Sequence, residues 1–316
     1  MAFIDDYFAR IGFDGEARAD VATLTQLHLL QTCHIPFENL DVLLDRPILL
    51  DDAHLQEKLV IAQRGGYCYE QNGVFTRALR ELGFAVQDLG ARVVIANPAE
   101  MPPRTHRLSL ITLDDKQWLA DVGFGGQTLS TPVEFLPDTL LHTPHGDYRL
   151  IQSDDDYCLE ARNDDGWQAL YRFDLAHQYP ADYLMANHFV SRWPDSHFRH
   201  HLLLALMRPD GGKIAVLARR VTRRAPGQAA ATEELANADA LYDCLVDECG
   251  LAVSHPVHGV SREAFRAMMA RLEQAASRMG EAAHGGGASG GNGYDASHEE
   301  PRPESDDVVE GEFRQG

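Results

Sequence analysis

Arg64-Gly65-Gly66-Tyr67-Cys68-Tyr69-Glu70-Gln71-Asn72-Gly73 is the stretch from which the rest of the chain can be ordered. Two glycines and a tyrosine lead into a cysteine. A helical pattern follows at once, with Val74, Phe75, Ala78, Leu79 and Leu82 recurring on one face. Gly83 stands where a helix ends in a left-handed residue. The spacing predicts a helix that begins at, or one residue after, Cys68. Unpaired N–H groups and the positive end of the helix dipole gather there, and both favour a thiolate, the nucleophilic form of cysteine. The ordinary fate of a free cysteine is different: a buried, inert thiol. The local sequence does not separate the two.

Working outward, residues 2 to about 30 carry two helical stripes. The first runs through Phe3, Ile4, Tyr7, Phe8 and Ile11 and stops near Gly12; the second runs through Val21, Leu24, Leu27, Leu29 and Leu30. Pro36-Phe37-Glu38-Asn39-Leu40-Asp41 interrupts regular structure at the proline and reads as a polar loop with one aromatic anchor. Ala53–Ala62 predicts another helix, capped by Asp51 or Asp52. Residues 1–84 therefore form a helical region carrying Cys68.

The period then changes. Ala85–Ala96, Leu108–Leu113, Trp118–Val122, Tyr148–Gln152, Tyr157–Ala161 and Trp167–Phe173 are short, alternating or β-branched, and separated by turn residues. They predict an antiparallel sheet or small barrel over 85–195. Leu202–Met207 and Lys213–Val221 flank Pro209-Asp210-Gly211-Gly212 as a hairpin. Glu233–Cys249 and Ser261–Met279 read as helices, making a mixed α/β region over 196–280. From residue 281 to 316 the chain turns Gly-rich and then acidic, a composition that predicts disorder. The class is α+β.

Composition narrows the function. At 316 residues the chain exceeds a single core and implies two or three domains. Its net charge of −20 argues against a nucleic-acid partner. No apolar run approaches the ~20 residues of a membrane span, and the N-terminus lacks a signal-peptide pattern. The five cysteines, an odd number at positions 33, 68, 158, 244 and 249, show no disulfide framework. A reducing, cytoplasmic setting is expected. Cys244 and Cys249 lack the second pair or histidines of a zinc site, so no metal is expected.

A nucleophilic cysteine needs a base, and the base an orienting group. Of the 15 histidines, His106 differs in opening a strand, Thr105-His106-Arg107-Leu108-Ser109-Leu110, on the same side as Leu108 and Leu110. If the turn near Asp114-Asp115-Lys116 has two or four residues, Asp121 on the returning strand lies on that same side, next to or diagonal from His106. A three-residue turn would reverse this. Taken alone, without a partner cysteine, His106 reads more readily as a core histidine and Asp121 as a strand-end carboxylate. Val122-Gly123-Phe124-Gly125-Gly126 then offers close backbone approach and one ring.

These pieces resemble the arylamine N-acetyltransferases. The match rests on Arg64–Cys68 with Glu70-Gln71-Asn72, the His106 strand, Asp121–Gly126, Pro36–Asp41 and Asn187-His188-Phe189-Val190-Ser191 leading to Pro194, Ser196 and Phe198. They occur in the family's order over roughly residues 1–275. The resemblance implies a helical domain, a β-barrel and an α/β lid around a core like that of cysteine proteases and transglutaminases. It also implies a Cys68–His106–Asp121 triad and ping-pong transfer of acetyl from acetyl-CoA, through acetyl-Cys68, to an arylamine or arylhydrazine. Phe37 and Phe124 would then shape the aryl slot, and Gly125 and Gly126 would leave room for the acyl group and the coenzyme A thiol. Arg64 and Glu38 would form a structural ion pair. No permanently bound cofactor and no oligomer is required. Arg219-Arg220 and Arg223-Arg224 are a dense basic cluster, either steering coenzyme A or simply solvated. Two rivals share the scaffold: an amide synthase closing a macrolactam, and a catalytically silent binding protein.

Overall fold

The computed structural model describes residues 2–285, with side chains to residue 278. Helix α1 (Phe3–Ile11) ends at Gly12, which takes φ +74°, and α2 (Val21–His34) starts on the Asp20 side chain, which accepts the Thr23 N–H. Strand β1 (Phe37–Glu38) and a single turn, α3 (Leu40–Leu43), follow Pro36. The segment expected as a loop is therefore partly regular, and Phe37 to Asp41 are all buried.

Helix α4 (Asp52–Leu55), capped by Asp51, widens into a π-helix over Gln56–Ile61 rather than continuing as α. Helix α5 (Cys68–Glu81) begins on Cys68, and Gly83 at φ +86° follows it, as the spacing predicted.

A run of antiparallel strands comes next: β2 (Ala85–Val93), β3 (His106–Leu113), β4 (Lys116–Ala120), β5 (Val133–Glu134), β6 (Leu140–Thr143), β7 (Gly146–Ser153), β8 (Asp156–Asn163) and β9 (Gly166–Phe173). They order as β5-β4-β3-β2-β9-β8-β7-β6. The two ends, β5 and β6, lie side by side without pairing, so the sheet is a nearly closed barrel. Helix α6 (Pro180–Arg192) falls where more sheet was expected.

The C-terminal part has β10 (Leu203–Met207), β11 (Lys213–Leu217), β12 (Arg220–Arg224) and β13 (Ala231–Glu234), then α7 (Ala238–Asp247) and α8 (Arg262–Gly285). The single strand expected over 213–221 is broken by a turn in which Ala218 takes φ +53°. Glu233 and Glu234, expected to be helical, pair with β12 instead, and α7 waits for its Asn237 cap. Strand β1 joins this sheet through β10, tying the helical region to the C-terminal one. Helix α8 continues past residue 280 to Gly285; the remainder of the expected tail lies outside the described residues.

The core divides by face. Leu108 and Leu110 of β3 point into the barrel with Leu89, Leu119 and Tyr171, while Ile111 and Leu113 pack outward on α1, α2 and α5. Strand β3 is thus the wall shared by two cores.

Under the start of α5 lies a buried charge cluster. Arg64, fully buried, places Nη2 2.6 Å from Glu38 Oε1 and 3.4 Å from Asp41 Oδ1. Lys58 Nζ is 2.8 Å from Asp41 Oδ2 and 2.7 Å from Glu70 Oε1. Arg64 also donates to the His258 carbonyl, so the cluster reaches the loop before α8. Removing one member strands the others' charge in a dry environment. Arg64→Met is therefore expected to cost about 3–5 kcal/mol, read as a lower urea midpoint; a loss under about 1 kcal/mol would mean the cluster relaxes or hydrates.

Candidate active site

Cys68 is the first residue of α5 and is buried. The approach to it is held by backbone pairing: Glu38 N–H donates to the Gly66 carbonyl at 3.1 Å, and Gly66 N–H to the Pro36 carbonyl at 3.3 Å. A Cβ on Gly65 would stand 2.1 Å from the Pro36 carbonyl oxygen, so this crossing admits only glycine. Tyr67, in extended conformation, precedes the helix; its N–H donates to Glu70 Oε2 at 3.1 Å and its hydroxyl to Asn187 Oδ1 on α6. The Cys68 Sγ lies 3.7 Å from the carbonyl oxygen of Thr105, the residue before His106.

The turn between β3 and β4 is the two-residue Asp114-Asp115, with φ of +48° and +60°. Positive φ at both positions is the hairpin turn that keeps the strands' twist. The even-turn condition is met. The register pairs Leu110 with Leu119, which carries Asp121 to a position opposite Leu108 and diagonal to His106. His106 Nε2 is 2.7 Å from Asp121 Oδ2, both groups essentially without solvent.

Asp121 is held on all sides. Its Oδ1 accepts from Asn72 Nδ2 at 3.1 Å and from Gly123 N–H at 3.0 Å. Its carbonyl accepts the Thr128 hydroxyl at 2.8 Å. Burial works to raise its pKa, but the facing His106 and the Asn72 and Gly123 donors outweigh it and hold the carboxyl below its usual range.

Asn72 belongs to the same site, although the motif alone assigns it no role. It sits one turn after Cys68 and also donates to the Arg107 carbonyl at 2.7 Å, while its Oδ1 accepts the Val122 N–H at 3.2 Å. The i, i+4 spacing of Cys68 and Asn72 was the available signal. One amide thus fastens α5 to both β3 and the segment after β4.

The residues expected to shape a substrate slot divide. Phe124 is buried behind the histidine, its ring edge-on to His106 at 5.0 Å and to Tyr171 at 4.9 Å. Phe37 packs near Phe198, centroids 6.3 Å apart, and shares a small cavity with Gly125, Thr128 and Ala205. Gly125 has φ +79°, and the Gly126 carbonyl accepts from Lys213 Nζ at 3.2 Å. A roomier cavity of about 270 Å³ lies between α6 and the segment entering β3, walled by Tyr69, Arg104, Thr105, His106, Tyr183 and Phe189. The arginine cluster is engaged by its own acids: Arg219 by Glu234 and Glu273, Arg223 by Glu233 and Glu248, Arg224 by Asp164. Among the described residues no group of three or more acidic, histidine or cysteine side chains is arranged to hold a metal, and no helix is long and apolar enough to cross a membrane.

The chain is similar to known proteins over most of its length. The family described as N-acetyltransferase matches residues 20–257. The arylamine N-acetyltransferase of Escherichia coli K12 is 48% identical over 270 residues, covering 85% of this chain and 96% of that protein. The solved arylamine N-acetyltransferase of Salmonella typhimurium superposes with a TM-score of 0.83 at 45% identity, over 86% of this chain and 99% of that one. The Mycobacterium marinum enzyme, solved in complex with CoA, gives 0.80 at 33% identity over 85% and 99%.

The packing of α5 against the loop after β4 is tight enough to test. A Cβ on Gly123 would meet Asn72 Nδ2 at 2.8 Å and Cys68 Cα at 2.9 Å. Gly123→Ala is expected to lose about 1–3 kcal/mol to overpacking and to slow alkylation of Cys68 by iodoacetamide. Unchanged stability together with unchanged alkylation would show that the two segments are not in register-critical contact.

Proposed function

The chain belongs to the arylamine N-acetyltransferase family and is an acyltransferase, and we propose that it carries acetyl from acetyl-CoA to an arylamine or arylhydrazine nitrogen through an acetyl-Cys68 intermediate. The observation that carries this reading is the meeting of a helix-start cysteine with the strand on which His106 is bonded to Asp121 at 2.7 Å. A thiolate at the first residue of a 14-residue helix is favoured by the dipole and by a neighbouring imidazolium.

In the first half-reaction the Cys68 thiolate attacks the thioester carbonyl, the bond to the coenzyme A sulfur breaks, and protonated His106 supplies the proton that leaves with CoA. In the second, the amine nitrogen attacks acetyl-Cys68, His106 takes its proton, and the Cys68 thiolate departs. An arylamine suits this step because its lone pair is free at neutral pH. Asp121 keeps the imidazole oriented and stabilises its positive form. Phe37 would help shape the aryl slot, and Gly125 and Gly126 would leave room for the acyl group; the support for this is that Phe37 and Gly125 line one small cavity. Phe124 contributes by backing His106. Against a macrolactam-closing or silent role stands the near full-length match to relatives named as arylamine N-acetyltransferases.

Mixing the protein with acetyl-CoA alone and weighing it intact tests the reading. One added acetyl group is expected, absent in Cys68→Ala and discharged by an aminobenzoate. An unmarked protein that releases no CoA with any arylamine or hydrazine would refute it.

A further inference from the structure

His28 sits in the middle of α2, fully buried, and no motif points to it. Its Nε2 lies 3.2 Å from the backbone nitrogen of Asp121 and accepts that N–H. Strand β4 ends at Ala120, so Asp121 N–H is the first amide past the β3–β4 ladder and needs another acceptor. The imidazole is wedged edge-on against Phe75 of α5, centroids 5.3 Å apart at 81°.

We propose that His28 is a positioning residue for the acyl transfer: as a neutral ring with an unprotonated Nε2, it anchors the Asp121 backbone and so fixes the carboxylate that orients His106. The proposal rests on the triad reading above and extends it to a residue 93 positions away in sequence.

The chemistry is constrained. A backbone N–H can only donate, so Nε2 must be bare and the ring proton must sit on Nδ1. Burial lowers the His28 pKa to about 4, despite the nearby Asp121 charge, so the accepting form persists through neutral pH. The Asn72, Gly123 and Thr128 bonds grip the Asp121 side chain and carbonyl; His28 grips the remaining backbone group. The anchor also comes from the helical region, so α2, α5 and the barrel converge on one residue.

Two measurements test this. In the intact wild-type protein, imidazole 15N shifts are expected to report a neutral His28 protonated on Nδ1 at pH 7. An Nε2-protonated or charged ring would overturn the proposal, and this readout needs no catalysis, so it fails separately from the acyltransferase reading. In kinetics, His28→Leu is expected to lower kcat for arylamine acetylation about 10- to 100-fold with little change in KM. His28→Gln, whose Oε1 can accept the same N–H, is expected to recover most of that loss. Leu and Gln variants with equal activity, whether both high or both low, would contradict the anchor.

Discussion

The hydrogen bonds converging on Asp121 are the constraint on which the site depends. A carboxylate with no solvent contact is costly unless every oxygen is paired. Here the carboxylate's partners come from different parts of the chain: Asn72 from the cysteine helix, His106 from β3 and Gly123 N–H from the loop beyond β4, where Thr128 also holds the Asp121 backbone carbonyl. Satisfying one buried charge therefore fixes how α5 meets the barrel. The groups proposed as nucleophile, base and orienter cannot be placed independently.

A second charge system supports the first from below. Arg64 and Lys58, with Glu38, Asp41 and Glu70, occupy the space behind the Gly65-Gly66 crossing. Glu70 belongs to both layers, since one oxygen holds Lys58 and the other caps Tyr67 N–H at the helix start. Asn39 extends the support to the C-terminal sheet: its amide donates to the Phe198 and His201 carbonyls, and its oxygen accepts Leu203 N–H at 2.9 Å. The short motif Glu38-Asn39-Leu40-Asp41 is a junction between regions. That is why residues so polar are buried.

Much of this was legible from sequence because it follows from period and parity. The apolar stripe after Cys68 and the glycine beyond it gave the helix its start and end. Parity put Asp121 on the face of His106 on condition of an even turn, and the two-residue Asp114-Asp115 turn meets that condition. What escaped depends on contacts across the fold. Helix α6 has little amphipathic pattern of its own; Tyr183 is fastened to the Leu89 carbonyl at 2.9 Å and Asn187 to that of Ile48 at 3.1 Å. Glu233 and Glu234 read as the start of a helix but pair with β12, where Arg219 and Arg223 stand within ion-pair distance of them. His28 lies in the helix of the second apolar stripe but outside the residues that define it, and its ring nitrogen finds its use where β4 ends at Ala120.

The central claim is that Asp121, through His106, sets the state of Cys68. The pH dependence of Cys68 alkylation by iodoacetamide, compared between the wild type and Asp121→Asn, tests it most directly. The account predicts fast alkylation of the wild type well below the ~8.5 of an ordinary thiol, and a rise of the midpoint toward that value in the variant. A wild-type profile that already tracks an ordinary thiol, or one left unmoved by Asp121→Asn, would contradict it.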